Sequence, residues 1–139
     1  MKRIAYLLFV GVCSLFLYGS AVAADAETKG NIPYHATGKA RVNFYRTATV
    51  SPEVQPVVRL DGVNVGTAQA KVWFYMDTTP ADHVVTIENS AIAPLKFKVA
   101  LGGTQYVRLN LTNGAIVPEL VDIAVGDKEI TACTLAKAK

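Results

Sequence analysis

Few residues of this 139-residue sequence have the types and spacing that chemistry requires. The two histidines, His35 and His83, have no His, Cys or clustered carboxylate partner at ligand spacing, so a structural or solvated role is favoured over a zinc site. No Gly-x-Ser-x-Gly elbow marks a serine nucleophile, and Cys133 has no obvious basic partner that would activate its thiol. Glu119 and Asp122 form an acid pair by proximity only, and solvation at a strand end explains them as well. The residues therefore predict no catalytic set, no metal site and no cofactor.

A set of aromatic side chains is the candidate binding surface. Four aromatic residues and two arginines alternate with the aliphatic residues of their predicted strands and therefore lie on the opposite face. They are Tyr45, Trp73, Tyr75, Tyr106, Arg41 and Arg108. Aromatic rings with polar tips on an exposed sheet face suit a peptide, glycan or protein partner. The alternative is ordinary cross-strand packing, with the rings covering their neighbours or lying under a loop folded over the sheet. Parity alone does not show whether these residues share one sheet of a two-sheet sandwich.

Alternation with a period of two predicts the strands that position these residues. In Lys39–Arg46 the apolar residues Ala40, Val42 and Phe44 alternate with polar and aromatic ones, as in a half-buried strand. Further strands are predicted at Val57–Leu60, Val63–Gly66, Lys71–Asp77, His83–Glu88, Leu95–Leu101, Thr104–Thr112 and Ala115–Val121. Within these strands the aliphatic residues, Leu101 among them, are expected to point inward.

Turn and helix signals separate and end these strands. The dipeptides typical of tight turns are Asp61-Gly62, Gly102-Gly103 and Asn113-Gly114. Pro118 removes a ladder donor and predicts that Ala115–Val121 is an edge strand or a bulged one. Asp127 is expected to cap a short helix containing Lys128–Leu135, with Cys133 buried on its apolar face.

Length and composition fit a single mainly β domain, predicted over residues 39–136. With 51% hydrophobic and 18% charged residues, the chain is unlike a disordered protein. The strand spacing predicts an antiparallel β-sandwich or open barrel of about seven to eight short strands, with one short C-terminal helix.

Residues 1–23 have the three parts of a secretory signal peptide. Lys2 and Arg3 precede an uncharged apolar run, and small residues follow as far as Ala23 and Ala24, where cleavage is expected. We expect a signal helix over this segment, a flexible leader over residues 24–38, and a periplasmic or secreted mature protein.

Two other fates of the N-terminus involve the membrane. The uncharged run reaches the length of about 20 residues that a spanning helix needs, so an uncleaved anchor stays open. Lipidation of Cys13 is disfavoured, because Val12 stands where a bacterial lipobox has a small residue.

Charge and cysteine content restrict the partners. The net charge of +3 gives no basic stripe, and cleavage would remove Lys2 and Arg3, so nucleic acid is not a predicted partner. Cys133 would then be the single cysteine, unable to form an intramolecular disulfide and either buried or available for an intermolecular one.

The order of motifs resembles the DUF2846 family. The matching segments are Lys39–Arg46, Val58–Gly66, Pro80–Val85, Thr104–Arg108, and Glu119–Asp122 with the short stretch to Cys133. The resemblance spans Gly38–Leu135, although Ala81-Asp82 stands where the family has Gly-Glu. It implies an exported bacterial β-domain of unknown function, often a lipoprotein. The Asp61-Gly62 hairpin also resembles PEGA-type sandwich modules, which are envelope-associated and non-catalytic, and neither resemblance brings catalytic residues.

Three functional classes follow from the sequence. The first is an exported, envelope-associated, non-catalytic sandwich that binds an envelope protein, a peptide or a glycan. The second is a hydrolase whose site is assembled from distant strands, with His83, Glu119 or Asp122 in a pocket. The third is a structural subunit that self-associates through the Pro118 edge or a Cys133 disulfide.

Overall fold

The alternating segments form two packed β-sheets in the computed structural model, which describes residues 36–136. The strands of this part of the chain are β1 (Ala40–Tyr45), β2 (Val57–Leu60), β3 (Val63–Thr67), β4 (Val72–Thr78), β5 (Asp82–Ile87), β6 (Leu95–Lys98), β7 (Thr104–Thr112), β8 (Ala115–Val121) and β9 (Thr134–Leu135). One helix, α1 (Ile123–Ile130), lies between β8 and β9. The mainly β prediction is confirmed, and of the two architectures left open the structure shows the sandwich.

Five strands form one sheet in the order β8-β7-β1-β4-β9, and four form the other in the order β3-β2-β5-β6. The larger sheet is mixed, because β1 pairs in parallel with β7 and β4 in parallel with β9. Parallel neighbours need a long crossover, and here the chain between β1 and β7 passes through the second sheet. The expectation of a purely antiparallel sandwich is therefore wrong at these two pairs.

The core lies between the inner faces of the two sheets. Its members are mainly aliphatic and phenylalanine side chains from both sheets: Val42, Phe44, Val58, Leu60, Ala68, Phe74, Val85, Ile87, Phe97, Val107, Leu109 and Ile116. The rings of Phe44 and Phe74, on neighbouring strands, stack with centroids 5.2 Å apart. At about 25 cal/mol per Å² of apolar surface removed from water, this layer is the main source of stability.

Two of the predicted tight turns are present and have the positive φ angles that such turns require. Asp61 and Gly62 both have positive φ, 50° and 83°, and join β2 to β3 as the sequence predicted. Asn113 and Gly114 join β7 to β8 in the same way. Pro118 lies in β8, an edge strand, which confirms its predicted position.

The strand predicted over Leu95–Leu101 ends earlier, at Lys98. The chain then leaves this sheet and bonds to the start of β1: Gly102 N–H donates to the carbonyl of Lys39, and the carbonyl of Gly103 accepts the N–H of Arg41. Leu101 is consequently 67% exposed rather than inward.

The predicted helix is wrong in position. Helix α1 begins directly after Asp122 and ends at Ile130, so Asp127 lies inside it rather than at its cap. The chain then turns and adds β9 to β4, with Thr134 N–H donating to the carbonyl of Lys71. Cys133 therefore lies outside the helix and is half-buried, with its thiol 3.6 Å from the backbone oxygen of Arg46.

The expectations for the N-terminus fall outside the described residues. These are the signal helix over residues 1–23, cleavage at Ala23 and Ala24, Cys13, His35, and the leader up to residue 35. Between residues 36 and 136, no helix combines the length and the apolar character that crossing a membrane requires.

Arg46, at the end of β1, is a fully buried cation that fastens the following loop. Its Nη1 donates to the carbonyls of Val54 and Ala68, at 2.5 and 2.8 Å. Its Nη2 donates to those of Val50 and Ser51, at 2.7 and 3.0 Å. Burial lowers the pKa of Arg46, although the charge of Glu53 acts in the opposite direction. A planar guanidinium is suited to this role because its donors leave in several fixed directions.

We expect Arg46→Lys to lower the free energy of unfolding by roughly 2–4 kcal/mol, because one ammonium cannot reach four carbonyls and each orphaned buried group is costly. Urea unfolding measures the loss, and limited proteolysis should show cleavage within the loop between β1 and β2. The control is Arg59→Lys in the half-exposed Arg59–Glu88 pair, where a change below about 1 kcal/mol is expected. Equal losses in the two variants would contradict this role.

Candidate functional site

The predicted binding residues do share one sheet and one face. Across β4, β1 and β7, Tyr45 is in register with Trp73 and Arg108. In the next row of the same parity, Asn43 is in register with Tyr75 and Tyr106. We call the outer-face residues of these three strands the polar layer: Arg41, Asn43, Tyr45, Trp73, Tyr75, Asp77, Tyr106 and Arg108. The structure therefore settles what parity alone left open.

Helix α1 packs on the part of the polar layer that contains Tyr45, Tyr106 and Arg108. The Tyr45 hydroxyl donates to Glu129 at 2.5 Å, and the Tyr106 hydroxyl donates to Asp127. Tyr45, Trp73 and Tyr106 are only 0%, 3% and 2% exposed. The expectation of an exposed aromatic face is wrong for these three residues. For Tyr45 and Tyr106 the alternative of rings covered by another segment holds, with a helix in place of a loop. Among the six residues of the predicted binding surface, Tyr75 and Arg108 stay partly exposed.

Gly126 makes this close packing possible. A Cβ built at this position would overlap the ring of Tyr106. The helix backbone therefore lies directly on the ring, and the helix needs glycine here for space although glycine lowers helix propensity. In the sequence Gly126 is an isolated glycine, and only the position of the Tyr106 ring shows why a glycine is needed there.

The charges of the polar layer pair with one another. Arg41 donates to both carboxylate oxygens of Asp77, at 2.6 and 3.0 Å, and its guanidinium carbon lies 4.0 Å from the centre of the Tyr75 ring. Arg108 binds Glu129 and Glu119, at 2.9 and 3.1 Å. Paired and hydrogen-bonded charges of this kind are what burial under a helix demands.

The two buried tyrosines are held in the protonated state. Burial, followed by the hydrogen bond to Glu129, raises the pKa of Tyr45, and burial with the bond to Asp127 raises that of Tyr106. Both hydroxyls therefore act as donors to carboxylates of α1. This arrangement orients the helix and offers no general base to a substrate.

The acids and histidine proposed for a hydrolase do not converge. His83 lies in β5 of the smaller sheet, whereas Glu119 lies in β8 of the larger one and pairs with Arg108. Asp122 precedes α1 and is exposed. Within residues 36–136, no group of three His, Cys, Asp or Glu side chains is placed to hold a metal ion.

His83 instead pairs with Asp61. Its Nδ1 lies 2.6 Å from Asp61 Oδ2, and its Nε2 lies 2.7 Å from the carbonyl oxygen of Thr79. The sequence predicts only a turn role for Asp61. Its pairing with His83 was not predicted, because the two residues belong to different hairpins. The Asp-Gly dipeptide predicted the backbone conformation of Asp61 in the turn but indicated no role for its carboxylate.

A cleft of about 690 Å³ opens at one side of the sandwich, between the edge strands β3 and β9. We call it the edge cleft. Its lining is mainly apolar, with a few polar groups, and consists of Asn64, Val65, Gly66, Thr67, Gln69, Val72, Phe74, Thr134, Leu135 and Ala136. Gly66 lies against the Phe74 ring, because a Cβ there would come within 2.9 Å of two ring carbons. Sequence analysis missed this cleft, since it depends on the pairing of β9 with β4.

A second cleft, of about 460 Å³, lies at another edge of the fold. Residues of the β1–β2 loop, the β5–β6 turn and the β7–β8 hairpin form it, among them Pro56, Asn89 and Gly114. It is smaller and more polar than the edge cleft, so the edge cleft is the better candidate for a ligand site.

The comparisons with known proteins give no further identification. No protein-family model matches the chain, and no curated protein matches it. Membership of the DUF2846 family therefore stays a prediction.

We expect Gly126→Ala to lower the free energy of unfolding by roughly 1–3 kcal/mol, because the added methyl group meets the Tyr106 ring in a packed interior. At an unconstrained helix position the same substitution would raise stability by up to about 1 kcal/mol, so the sign is diagnostic. Urea unfolding followed by the fluorescence of Trp73, the single tryptophan, measures it. Lys128→Ala, on the exposed side of α1, is the matched control and should change little. A stabilised Gly126→Ala variant would refute the close contact.

Proposed function

We propose that this protein is an exported, envelope-associated, non-catalytic β-sandwich that binds an extended apolar peptide segment of an envelope partner. The edge cleft is the observation that carries the proposal. Its volume of about 690 Å³ lies within the range of about 300–1,000 Å³ that is usual for ligand sites, and its lining combines apolar walls with a few polar groups.

The chemistry of the cleft favours a peptide over a glycan. Both walls are edge strands, which offer backbone groups to an extended chain, and Val65, Phe74 and Leu135 offer apolar contacts to its side chains. A glycan site typically uses accessible aromatic faces, but Tyr45, Trp73 and Tyr106 are buried.

The proposal that the protein is non-catalytic is supported by the ion pairs that its potentially reactive side chains form. Arg41, Arg108 and His83 each pair with a carboxylate inside the fold. Neither described cleft is lined by His83, Glu119 or Asp122. These pairs serve the packing of strands and helix.

Export and envelope association are supported by the N-terminal sequence pattern. A charged start, an apolar run and small residues at Ala23 and Ala24 are the features that the secretory machinery reads. The nearly neutral charge expected after cleavage fits a partner bound through apolar contact rather than through a charged surface.

Self-association through Cys133 has less support. Burial raises the pKa of the Cys133 thiol, an effect that the charge of Lys71 opposes, and the sulfur faces the Arg46 carbonyl. A protonated, half-buried thiol reacts slowly with a partner thiol.

We expect the protein to bind immobilised peptides with alternating apolar residues, and Leu135→Glu to weaken this binding by tenfold or more, because it places a charge in the edge cleft. Leu101→Glu is the matched control: it adds the same charge at an exposed leucine outside the cleft and should bind as the unmodified protein does. A peptide array read by surface plasmon resonance makes the measurement. Absence of peptide binding, or equal binding by both variants, would refute the proposal.

We expect protein recovered from the envelope fraction to begin at Ala24 or Asp25, as cleavage of a signal peptide requires. Intact-mass spectrometry reads this directly. An unprocessed Met1 would show a membrane anchor instead, and a lipid adduct on Cys13 would show a lipoprotein.

A further inference from the structure

A buried histidine paired with a partly exposed carboxylate links the β2–β3 hairpin to the neighbouring strand β5. His83 is 3% exposed, and its two ring nitrogens lie 2.6 Å from Asp61 Oδ2 and 2.7 Å from the Thr79 carbonyl oxygen. The other oxygen of Asp61 accepts the N–H of Val84 at 2.9 Å. The carboxylate of one turn residue therefore joins the tip of the hairpin to both the backbone and a side chain of β5.

The geometry requires a doubly protonated ring. A carbonyl oxygen and an ionised carboxylate are acceptors only, so each ring nitrogen must donate. A neutral imidazole carries one N–H, and it would turn a lone pair toward either Asp61 or Thr79. The pair as it stands is thus an imidazolium with a carboxylate.

The surrounding charges agree with this state. Burial alone would lower the pKa of His83, but the bonds to Asp61 and Thr79 and the charges of Asp61 and Asp82 outweigh it and raise that pKa. Burial likewise opposes ionisation of Asp61, whose pKa the bonds from His83 and Val84 nevertheless lower.

Other neighbours of the pair are cationic or uncharged. From β6, the Phe97 ring faces the imidazole with centroids 6.0 Å apart, and Lys98 is in register with Asp82 at the exposed edge. From β2, Arg59 donates to the carbonyl of Gly62 at 3.3 Å and binds Glu88. Asp61 and Asp82 are the carboxylates that stabilise the imidazolium.

We infer that Asp61 and His83 form a pH-sensitive latch, which fastens the β2–β3 hairpin while the imidazole is protonated and loosens it when the imidazole loses its proton. Residues 64–67 of β3 line the edge cleft, so the latch acts on one wall of that cleft. The inference goes beyond the proposed function, and it holds whatever the cleft binds.

The direction of the effect follows from proton linkage. The folded-state pKa of His83 lies above that of the unfolded chain, about 6.5, so the stabilisation is fully present below that value. It is lost as the pH rises through the folded-state pKa. Deprotonation leaves at most one of the two ring hydrogen bonds and removes the charge attraction between His83 and Asp61, while Asp61 still accepts the N–H of Val84.

The experiment is hydrogen–deuterium exchange of the full chain between pH 6 and pH 8.5, with rates corrected for the intrinsic effect of pH. We expect protection of peptides spanning Val57–Thr67 to fall as the pH rises, by about tenfold for each unit by which the His83 pKa exceeds 6.5. Nuclear magnetic resonance of the His83 ring supplies that pKa in the same sample. Peptides from β7, in the other sheet, are the internal reference and should keep their protection.

Asp61→Asn is the decisive variant. Its amide oxygen can still accept the Val84 N–H, and its amide nitrogen can donate to a neutral His83 whose Nε2–H binds Thr79. We therefore expect the pH dependence to reverse, with the hairpin protected at pH 8.5 and losing protection toward pH 5. His35→Gln, at the other histidine of the chain, should behave as the unmodified protein does.

Three results would overturn the latch. The first is hairpin protection that is independent of pH in the unmodified protein. The second is a His83 pKa at or below 6.5, and the third is an Asp61→Asn variant with the same pH profile as the unmodified chain.

Discussion

Burial of β1 on both faces is the constraint on which the rest of the structure depends. All six residues of this central strand, Ala40–Tyr45, are buried. One face contributes Val42 and Phe44 to the core, but strand alternation places polar groups on the other, and buried polar groups must be hydrogen-bonded. The hydroxyl of Tyr45 donates to Glu129 of helix α1, and Arg41 donates to Asp77 of β4, so the helix and a neighbouring strand together provide partners on this face.

Arg46, the residue that follows β1, connects this buried strand to the neighbouring loops. The guanidinium of Arg46 binds four backbone carbonyls, while its own carbonyl accepts the N–H of Lys71 and faces the thiol of Cys133. The carbonyl of Lys71 in turn accepts the N–H of Thr134, which begins β9. The position of β9, and with it one wall of the edge cleft, is therefore set through a chain of backbone bonds that starts at Arg46.

Short sequence patterns predicted the strands and turns, because alternation and turn dipeptides act over only a few neighbouring residues. Asp61-Gly62 accepts positive φ, and the alternation of Thr104–Thr112 reports which residues face the core. The helix was misplaced because Asp127 was interpreted as its cap, whereas the contacts of Gly126 and Asp127 with Tyr106 place both residues inside it. Parity correctly grouped the aromatic residues, but their burial follows from packing by a segment far along the chain. The edge cleft has no local signature, since β9 is only two residues long.

The two walls of the edge cleft are held by interactions that respond differently to pH. The β9 wall is held by backbone hydrogen bonds to the carbonyls of Lys71 and Trp73, which do not titrate. The β3 wall depends on His83 and Asp61, where one proton decides whether two hydrogen bonds or one can form. In the proposed latch, a rise of pH through the folded-state pKa of His83 therefore acts on the β3 wall and not on the β9 wall. Because the hydrophobic core beneath does not titrate, the proposed latch is expected to change the protection of the hairpin without unfolding the sandwich.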